Sequence, residues 1–470
     1  MTIIRRHKEL IIAPSRRDGS SVENNAHLRF RHAVGMQLIV IGLMLMSCGF
    51  SAVIPAKAGI PSKTSQQVYS QQAVESLALK TFLSNQKEEK LATAHWDYVP
   101  GLVALSVLQA WQHYPEKTDY YDTVKAFADH ALQGGDTVKV GVSNLDDLAA
   151  GKIFFVLYET ELKKGNTADA QRYKHCVTFL RDKLKYRHQR IATPLPGVGG
   201  FFHKQQYPNQ MWLDGLYMGA PVYAGWQHYF GVEKGVTDNL ESWTDIAHQF
   251  KTVHQYTYDA EKQLNYHAWS AAPDDPNSFW AKKTEPYLGC SPEFWGRSMG
   301  WYFAALVDVL DWMPKTHPDY AQLCEITQEV AAGLACYQDP ASGCWYQLLQ
   351  YDGTVSGTCN RTNYLESSAS AMFTYAYLKG MRIGVLNKKH YKPVAEKAYQ
   401  GLLKQFVRTD TTGAMHIIQS CASAGLGPAK DPSRDGTINY YLCGKDVIVT
   451  QDEGKAIGPF IMASLEYEKN

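Results

Sequence analysis

The sequence predicts an all-α protein in which two rings of helices are arranged one inside the other. Three observations lead to this expectation. Apolar residues recur with helical spacing in twelve windows, whereas the alternation typical of β-strands is scarce. The windows alternate along the chain between mostly apolar and strongly charged ones. No low-complexity linker interrupts residues 61–470, so we expect a single domain there.

The helices are expected, in chain order, at about 66–86, 99–114, 117–133, 147–163, 167–187, 210–230, 238–256, 296–314, 319–337, 364–385, 390–407 and 455–468. Capping sequences precede two of them, PEKTD at 115–119 and NTAD at 166–169. Short β pieces are expected at 346–349 and 446–449.

The alternation in helix character indicates which helices are enclosed. The apolar helices are those at 99–114, 147–163, 210–230, 296–314 and 364–385, and the charged ones are those at 117–133, 167–187, 238–256, 319–337 and 390–407. A helix that is apolar all round is buried, and an amphipathic one borders solvent. The long connections at 188–209, 257–295 and 408–454 are expected to gather at one mouth of the barrel and to carry function.

The numbers of charged residues and cysteines limit which binding partners and metal sites are expected. Lys and Arg number 47 and Asp and Glu 46, with no concentrated basic stretch, so nucleic acid is not an expected partner. The nine cysteines lack zinc-binding spacing, and no metal site or cofactor is expected. Cys324, Cys336 and Cys344 are close enough in sequence for one disulfide, with ordinary buried thiols as the equal alternative.

The first 60 residues are interpreted as a targeting segment. The apolar run QLIVIGLMLM at 37–46 follows Arg29 and Arg31, which is the layout of a signal peptide. Cys48 is a candidate site of lipid attachment, and cleavage after Ala58 is the alternative. Either outcome exports the protein, and we expect a periplasmic protein or an outer-membrane lipoprotein of a Gram-negative bacterium.

Asp214 is the first candidate catalytic residue. It interrupts the apolar segment MWLDGLYM at 211–218. A carboxylate on a buried face is costly unless it is paired or protonated. Burial is expected to raise its pKa toward neutrality, which suits a proton donor. The alternative is that Asp214 and Gly215 form a turn or cap the next helix.

Asp146 is the second candidate, in the segment SNLDDLAAGK at 143–152. From the residues alone, helix capping by Asn144 or Asp146 is the favoured explanation. Both Asp146 and Asp214 nevertheless fall near the starts of expected inner helices, where they could form a carboxylate pair.

Further candidates combine polar and aromatic residues, either for binding a sugar or for packing a core. Taken singly, each is more typical of packing. Arg297 could hold a carboxylate by a forked hydrogen bond, and Trp96 or Trp301 could stack on a sugar ring. The candidate binding residues are Trp96, Tyr98, His203, Lys204, Trp212, His267, Arg297 and Trp301.

Five long segments together resemble a known family. They are GGFFHKQQYPNQMWLDGLYMGAP at 199–221, NYHAW at 265–269, SPEFWGRSMGWYFAALVDVLDWMP at 291–314, NYLESSASAMFTYAYLKGMRIG at 363–384 and EGKAIGPFIMASLEYE at 453–468. NLDDLAAGK at 144–152 also fits. The set resembles the unsaturated rhamnogalacturonyl hydrolases of glycoside hydrolase family 105, which are related to the unsaturated glucuronyl hydrolases of family 88. The resemblance runs from about residue 90 to the C-terminal end.

The resemblance implies an (α/α)6 barrel and an unusual hydrolysis. In the family, an Asp protonates C4 of a 4,5-unsaturated uronic acid and directs water to C5. The hemiketal then collapses and the neighbouring sugar departs. By motif position, Asp214 carries over as the general acid/base and Asp146 as the second carboxylate, with Asp147 as a rival. Of the binding residues named above, His203, Lys204, His267, Arg297 and the tryptophans are similar to positions that line the family's pocket.

The expected partner is therefore an unsaturated pectin oligosaccharide with rhamnose as the default neighbouring sugar, and we expect a monomer. Tyr-His-Ala-Trp-Ser replaces the family's usual Tyr-His-Gly-Trp-Asp at 266–270, which could alter the pocket floor. A polysaccharide lyase and a non-catalytic glycan-binding lipoprotein are the rival functions.

Overall fold

The computed structural model describes residues 68–469, so the signal segment with Cys48 and Ala58 lies outside the described residues. The helices are α1 (Tyr69–Ala73, continued by a π-helix over Val74–Ala78), α2 (Tyr98–His113), α3 (Thr118–Leu132), α4 (Ile153–Lys163, preceded by a 3-10 helix over Asp146–Lys152), α5 (Thr167–Arg187), α6 (Leu213–Phe230), α7 (Asn239–Thr257), α8 (Gly296–Trp312), α9 (Tyr320–Cys336), α10 (Ser367–Arg382), α11 (Lys388–Gln405), α12 (Ile438–Cys443) and α13 (Gly454–Lys469).

Six of these helices form the inner ring, namely α2, α4, α6, α8, α10 and α13. Each packs on the next, and α13 closes the ring by packing on both α10 and α2. These six helices are buried along most of their length. This agrees with their composition, since a helix with apolar residues on all faces is enclosed by its neighbours. The helices α1, α3, α5, α7, α9 and α11 alternate with them along the chain and pack outside. The described chain is thus an (α/α)6 barrel, and the expected alternation of apolar and charged helices is confirmed.

The expected helix at 66–86 is wrong in its second half. The helical segment ends at Ala78, and β1 (Thr81–Ser84) then pairs with β2 (Lys87–Lys90) as an antiparallel hairpin. Asn85 and Gln86 make its two-residue turn with φ of 51° and 69°. Positive φ at both turn positions matches the twist of the flanking strands, and Asn tolerates it well.

The remaining strands are short and lie in the connections. They are β3 (Gln210–Trp212) paired with β6 (Ala268–Ser270), β4 (Tyr258–Asp259) with β5 (Leu264–Asn265), β7 (Val407–Thr409) with β8 (Met415–Ile417), and β9 (Ser420–Cys421) with β10 (Val449–Thr450). Of the expected β piece at 446–449, only Val449 lies in a strand. The piece at 346–349 forms isolated bridges through Tyr346 and Leu348 rather than a strand.

The expected capping of two helices is wrong. Lys117 and Asn166 precede α3 and α5 without capping them, and the Asn166 side-chain amide instead donates to Glu161 Oε2 at 2.7 Å. Of the two alternatives for Cys324, Cys336 and Cys344, the disulfide does not form, and the disulfide of the described residues joins Cys359 to Cys443. No helix among residues 68–469 is long and apolar enough to cross a lipid bilayer.

The long connections between the helices contact one another. The connection before α6 pairs with the one before α8 through β3 and β6. The connection after α11 reaches the same region, where the Ala429 amide donates to Asn277. These contacts lie beside the first turns of the inner helices, where the candidate site residues are found.

Candidate active site

The β3–β6 pair brings Asp214 and His267 together. Trp212 pairs with Ala268 in the ladder, and the Leu213 amide donates to the His267 carbonyl at 3.0 Å. Asp214 therefore starts α6 opposite His267, with its Oδ2 3.1 Å from His267 Nε2. The two atoms are close enough for an ion pair but are not aligned as a hydrogen bond. The Asp214 side chain is 13% exposed and that of His267 is fully buried.

The acidity of Asp214 differs from the expectation based on burial. Burial raises its pKa, but the His267 ring and, less strongly, the His203 ring lower it, and the balance is a pKa below the usual value. The expected net rise of the Asp214 pKa is therefore wrong. Asp214 is a carboxylate, and it needs a further influence to become a proton donor.

His203 lies between the two candidate carboxylates. Its ring stacks on Trp212 with centroids 4.4 Å apart, and its Nε2 lies 3.8 Å from Asp146 Oδ1. Burial lowers the pKa of His203 to about 4, so the ring is neutral near pH 7. Gly215 makes room for it, because a Cβ on Gly215 would lie 3.1 Å from His203 Nδ1.

The structure separates Asp146 from its rival Asp147. Asp146 forms an ion pair with Lys204, and the short bridge between Asn144 and Lys204 holds the two segments together. The Asp147 carboxylate faces its own loop, where it accepts from the Gly141 amide and from Asn144 Nδ2, both at 2.7 Å. Asp146 is therefore the carboxylate that lies beside His203, and the favoured capping explanation for it is not what the geometry shows.

Arg297 is buried at the start of α8, with 1% of its surface exposed. One of its terminal nitrogens donates to the Cys421 carbonyl and to Ser368 Oγ, and its guanidinium lies 5.0 Å from the centroid of the Trp295 ring. In the described part of the chain Arg297 forms no direct ion pair, but the nearby carboxylates of Glu366 and Glu453 favour its charged form. Burying a cation is costly, and such carboxylates and hydrogen bonds offset part of that cost.

Two of the predicted aromatic residues meet inside the barrel. Trp301 lies between Tyr98 and Tyr217, with ring centroids 6.3 and 4.7 Å away. Trp301 is buried and Tyr98 is half-buried, so the pair forms the deep end of the site. Beyond it, Lys152 Nζ lies 3.4 Å from the Tyr217 ring centroid.

Trp96 is partly buried and packs against the core. Its ring stacks on Phe127 and Phe154, with centroids 6.0 and 5.6 Å apart, and its Nε1 donates to the Asp147 carbonyl at 2.8 Å. These contacts occupy its ring with protein neighbours. The packing explanation thus fits Trp96 better than the sugar-stacking one.

Sequence reasoning missed several groups at the same end of the barrel. Asp97 caps α2 by accepting from the Val99 amide, and Glu453 pairs with Lys455 at 2.8 Å at the start of α13. Tyr441 reaches His267 from α12, and Glu293 is buried enough that its pKa rises to about 7. The EGK sequence at 453–455 carried a usable signal, because two charges interrupt an apolar helix start. The other residues depend on contacts between distant segments.

All of these groups lie near the N-terminal ends of the inner helices. The opposite ends surround a second cavity of about 330 Å³, lined by residues such as His113, Tyr229, Trp312, Arg382 and Lys469. The N-terminal end of a helix carries partial positive charge, because its first amides have no partner within the helix. The site end of the barrel therefore combines this partial positive charge with the carboxylates of Asp146, Asp214 and Glu453.

The site also contains unsatisfied polar atoms. Asp146 Oδ1, Asp214 Oδ2, His203 Nδ1 and His267 Nε2 are buried without hydrogen-bond partners. Such atoms are uncommon in a folded interior, and they are typical of a site arranged for a ligand. No group of three or more His, Cys, Asp or Glu side chains in the described part of the chain is arranged to hold a metal ion.

Comparison with known proteins assigns the family. The model of the protein family described as Glycosyl Hydrolase Family 88 matches residues 72–470. A solved structure of a family 105 glycoside hydrolase from C. acetobutylicum superposes with a TM-score of 0.72 and 33% identity, over 86% of this chain and 100% of that one. Protein Atu3128 of Agrobacterium fabrum is 34% identical over 241 residues, which are 50% of this chain and 96% of that protein. The unsaturated rhamnogalacturonyl hydrolase YesR of Bacillus subtilis is 22% identical over 61% of this chain and 72% of its own length. The fold, the site and these relatives together place the chain among the glycosidases of glycosyl hydrolase families 88 and 105.

Proposed function

We propose that this glycosidase releases a 4,5-unsaturated uronic acid from the non-reducing end of lyase-generated rhamnogalacturonan oligosaccharides. The observation that carries the proposal is the buried cluster around Asp214, where Asp146 Oδ1, Asp214 Oδ2, His203 Nδ1 and His267 Nε2 have no aligned hydrogen bond. A uronic acid brings a carboxylate to such a site. The name of the YesR relative, an unsaturated rhamnogalacturonyl hydrolase, supports the same substrate class.

In the proposed reaction, Asp214 gives a proton to C4 of the vinyl ether, and its carboxylate then accepts a proton from the water that adds to C5. The resulting hemiketal opens and the neighbouring sugar leaves. Asp214 has a lowered pKa, so its proton must be acquired with the substrate. An incoming uronate adds negative charge near Asp214, and like charge raises a carboxyl pKa. The substrate thereby promotes the protonated form that attacks its own double bond.

The other site residues are proposed to bind and orient the substrate. Arg297 supplies the positive charge toward which the uronate carboxylate is oriented. Asp146, held by Lys204, and the neutral His203 are positioned to accept and donate hydrogen bonds to sugar hydroxyls. Tyr98 and Trp301 supply apolar surface for the sugar ring.

The test is a panel of defined unsaturated disaccharides, followed by the loss of ultraviolet absorbance of the conjugated double bond. We expect Asp214→Asn to lower kcat by about 10²–10⁴-fold, the usual contribution of a positioned proton-transfer group. Asp147→Asn is the matched control, because the Asp147 carboxylate faces its own loop, and it should retain activity.

Three outcomes would contradict the proposal. Intact pectin that gains absorbance indicates a lyase. Binding of the oligosaccharides without any turnover by the unsubstituted protein indicates a glycan-binding protein. Loss of activity in Asp147→Asn but not in Asp214→Asn would refute the assignment of the acid.

We also propose that the mature enzyme works outside the cytoplasm as a monomer. The Cys359–Cys443 disulfide supports export, because disulfides persist mainly in oxidising compartments. Mass spectrometry of the mature N-terminus distinguishes a lipidated Cys48 from cleavage after Ala58, and a cytoplasmic protein with an unprocessed N-terminus would contradict export. Sedimentation of the purified enzyme tests the monomer.

A further inference from the structure

Tyr441 contacts the side of His267 that faces away from Asp214. Its hydroxyl oxygen lies 2.5 Å from His267 Nδ1, and both residues are fully buried. The other ring nitrogen, Nε2, is the atom that lies 3.1 Å from Asp214 Oδ2. Tyr441 is therefore placed to control which nitrogen of His267 carries the proton.

The proton arrangement follows from the acidity of the phenol. Burial raises the pKa of Tyr441 well above its usual value, so the hydroxyl keeps its proton and can donate it to Nδ1. When the ring holds a single proton, that proton is then on Nε2, which faces the Asp214 carboxylate. The opposite tautomer would direct a lone pair at a carboxylate oxygen, which is repulsive.

The backbone around Tyr441 is held from outside the site. Tyr441 belongs to α12, a helix of six residues, and the disulfide from Cys443 ties its end to Cys359. Arg361, two residues beyond Cys359, donates to the carbonyls of Leu442 and Val447 at 2.9 and 2.7 Å. A helix this short has little stability of its own, so these ties hold Tyr441 in place together with its stacking on Trp295 and the hydrogen bond from Gln347 to its carbonyl.

We propose that Tyr441 is a positioning residue that holds His267 in the Nε2–H tautomer toward Asp214, and that the Cys359–Cys443 disulfide keeps α12 in place for this role. The inference rests on the proposed function, because it concerns the proton-transfer step at Asp214. In this arrangement the Nε2 atom of His267 lies 3.1 Å from Oδ2 of Asp214, and Oδ1 is the oxygen that exchanges the proton with substrate and water.

Several other titratable and charged groups face this pair. Asp214 and His203 approach from α6 and from the connection before it, and Glu293 from the connection before α8. Tyr440 precedes Tyr441 on α12, and Arg434 approaches from the segment before α12. The pH profile therefore contains several ionisations, and the tautomer of His267 has to be measured directly as well.

The experiment compares Tyr441→Phe with Tyr377→Phe. Each variant removes one buried hydroxyl that makes one hydrogen bond, and that of Tyr377 donates to the Ala331 carbonyl in the core at 2.6 Å. We expect Tyr441→Phe to lower kcat by about 10–100-fold with little change in KM, because it alters orientation rather than binding. Tyr377→Phe should leave both unchanged, and similar melting temperatures of the two variants show that folding is intact.

A nitrogen-15 spectrum of the His267 imidazole reads the tautomer without any turnover. We expect protonated Nε2 in the unsubstituted enzyme and a mixture of tautomers in Tyr441→Phe. Unchanged kcat and an unchanged spectrum in Tyr441→Phe would overturn the inference. If the unsubstituted enzyme turns over none of the unsaturated disaccharides, the proposed function fails, while the spectrum still tests the positioning of His267.

The disulfide is tested with dithiothreitol, which is oxidised while Cys359 and Cys443 become two thiols. Cys359 is exposed, so the reagent can reach it. Reduction should lower kcat several-fold in the unsubstituted enzyme and have no further effect in Tyr441→Phe. An equal loss in both proteins would show that the disulfide acts on the site by another route, and no loss in either would show that it does not hold Tyr441 at all.

Discussion

Replacing Gly215 with Ala adds one methyl group beside His203. The new Cβ would lie 2.9 Å from Leu145 Cδ1 and 3.1 Å from His203 Nδ1, whereas ordinary contact begins at 3.4 Å. Leu145 can rotate away. The His203 ring is held on its other side by the stacked Trp212, so it must shift by at least a few tenths of an ångström.

The magnitudes favour a loss of activity over a loss of stability. Overpacking costs about 1–3 kcal/mol, and Ala offsets about 1 kcal/mol of this through its higher helix propensity. The net destabilisation is therefore about 0–2 kcal/mol. A displacement of about 1 Å at a reacting centre can cost about 100-fold, so we expect kcat to fall about 10–100-fold.

Gly219→Ala is the matched control on the same helix, one turn later. Its Cβ would meet only Leu145 and Leu184, at 3.3 and 3.4 Å, and no site residue. Turnover of the unsaturated disaccharides and urea unfolding are measured for both variants. Equal kcat values for Gly215→Ala and Gly219→Ala would refute the idea that Gly215 is needed to leave space for the His203 ring.

Two further predictions concern stability. His188 and His203 are buried with pKa values of about 4, below the 6.5 of an ordinary histidine, so the unfolded chain binds more protons between these values. The stability that each contributes is complete above pH 6.5 and falls by about 3 kcal/mol as the pH drops to 4, and His188→Phe should flatten the fall of melting temperature over this range. If its melting temperature tracks that of the unsubstituted enzyme from pH 7 to 4, the burial argument for His188 is wrong. Trp96→Phe should destabilise the protein by about 2–3 kcal/mol in urea unfolding, through lost packing on Phe127 and Phe154 and a lost hydrogen bond, with KM unchanged. A large rise in KM without destabilisation would instead restore Trp96 as a sugar-binding residue.

Local sequence was sufficient for most of the barrel. Helical periodicity is a short-range property, so the boundaries of α5 at 167 and 187 match the expected ones, and the apolar or charged character of each helix indicates its ring. The hairpin after Ala78 was missed because Phe82 and Leu83 of β1 continue the apolar pattern, and the Asn85–Gln86 turn lacks glycine.

The site was predictable as a set of residues but not as an electrostatic arrangement. Asp214 could be recognised because a carboxylate interrupts an apolar helix. The direction of its pKa shift could not, because the opposing His267 is brought to it by the β3–β6 pairing. Tyr441 lies 174 residues after His267 in the sequence, and Cys443 lies 84 residues after Cys359. Contacts of that range are set by topology rather than by local composition.

The closure of the inner ring by α13 has a consequence for how the chain folds. Until Gly454–Lys469 has been synthesised, the apolar flanks of α2 and α10 have no neighbour, and the inner ring is a five-membered arc with an open seam. The nascent chain therefore carries exposed apolar surface, which is the kind of surface that chaperones bind. Substitutions in α13 should accordingly act first on the yield of folded enzyme in the cell, even though α13 contributes few groups to the reaction.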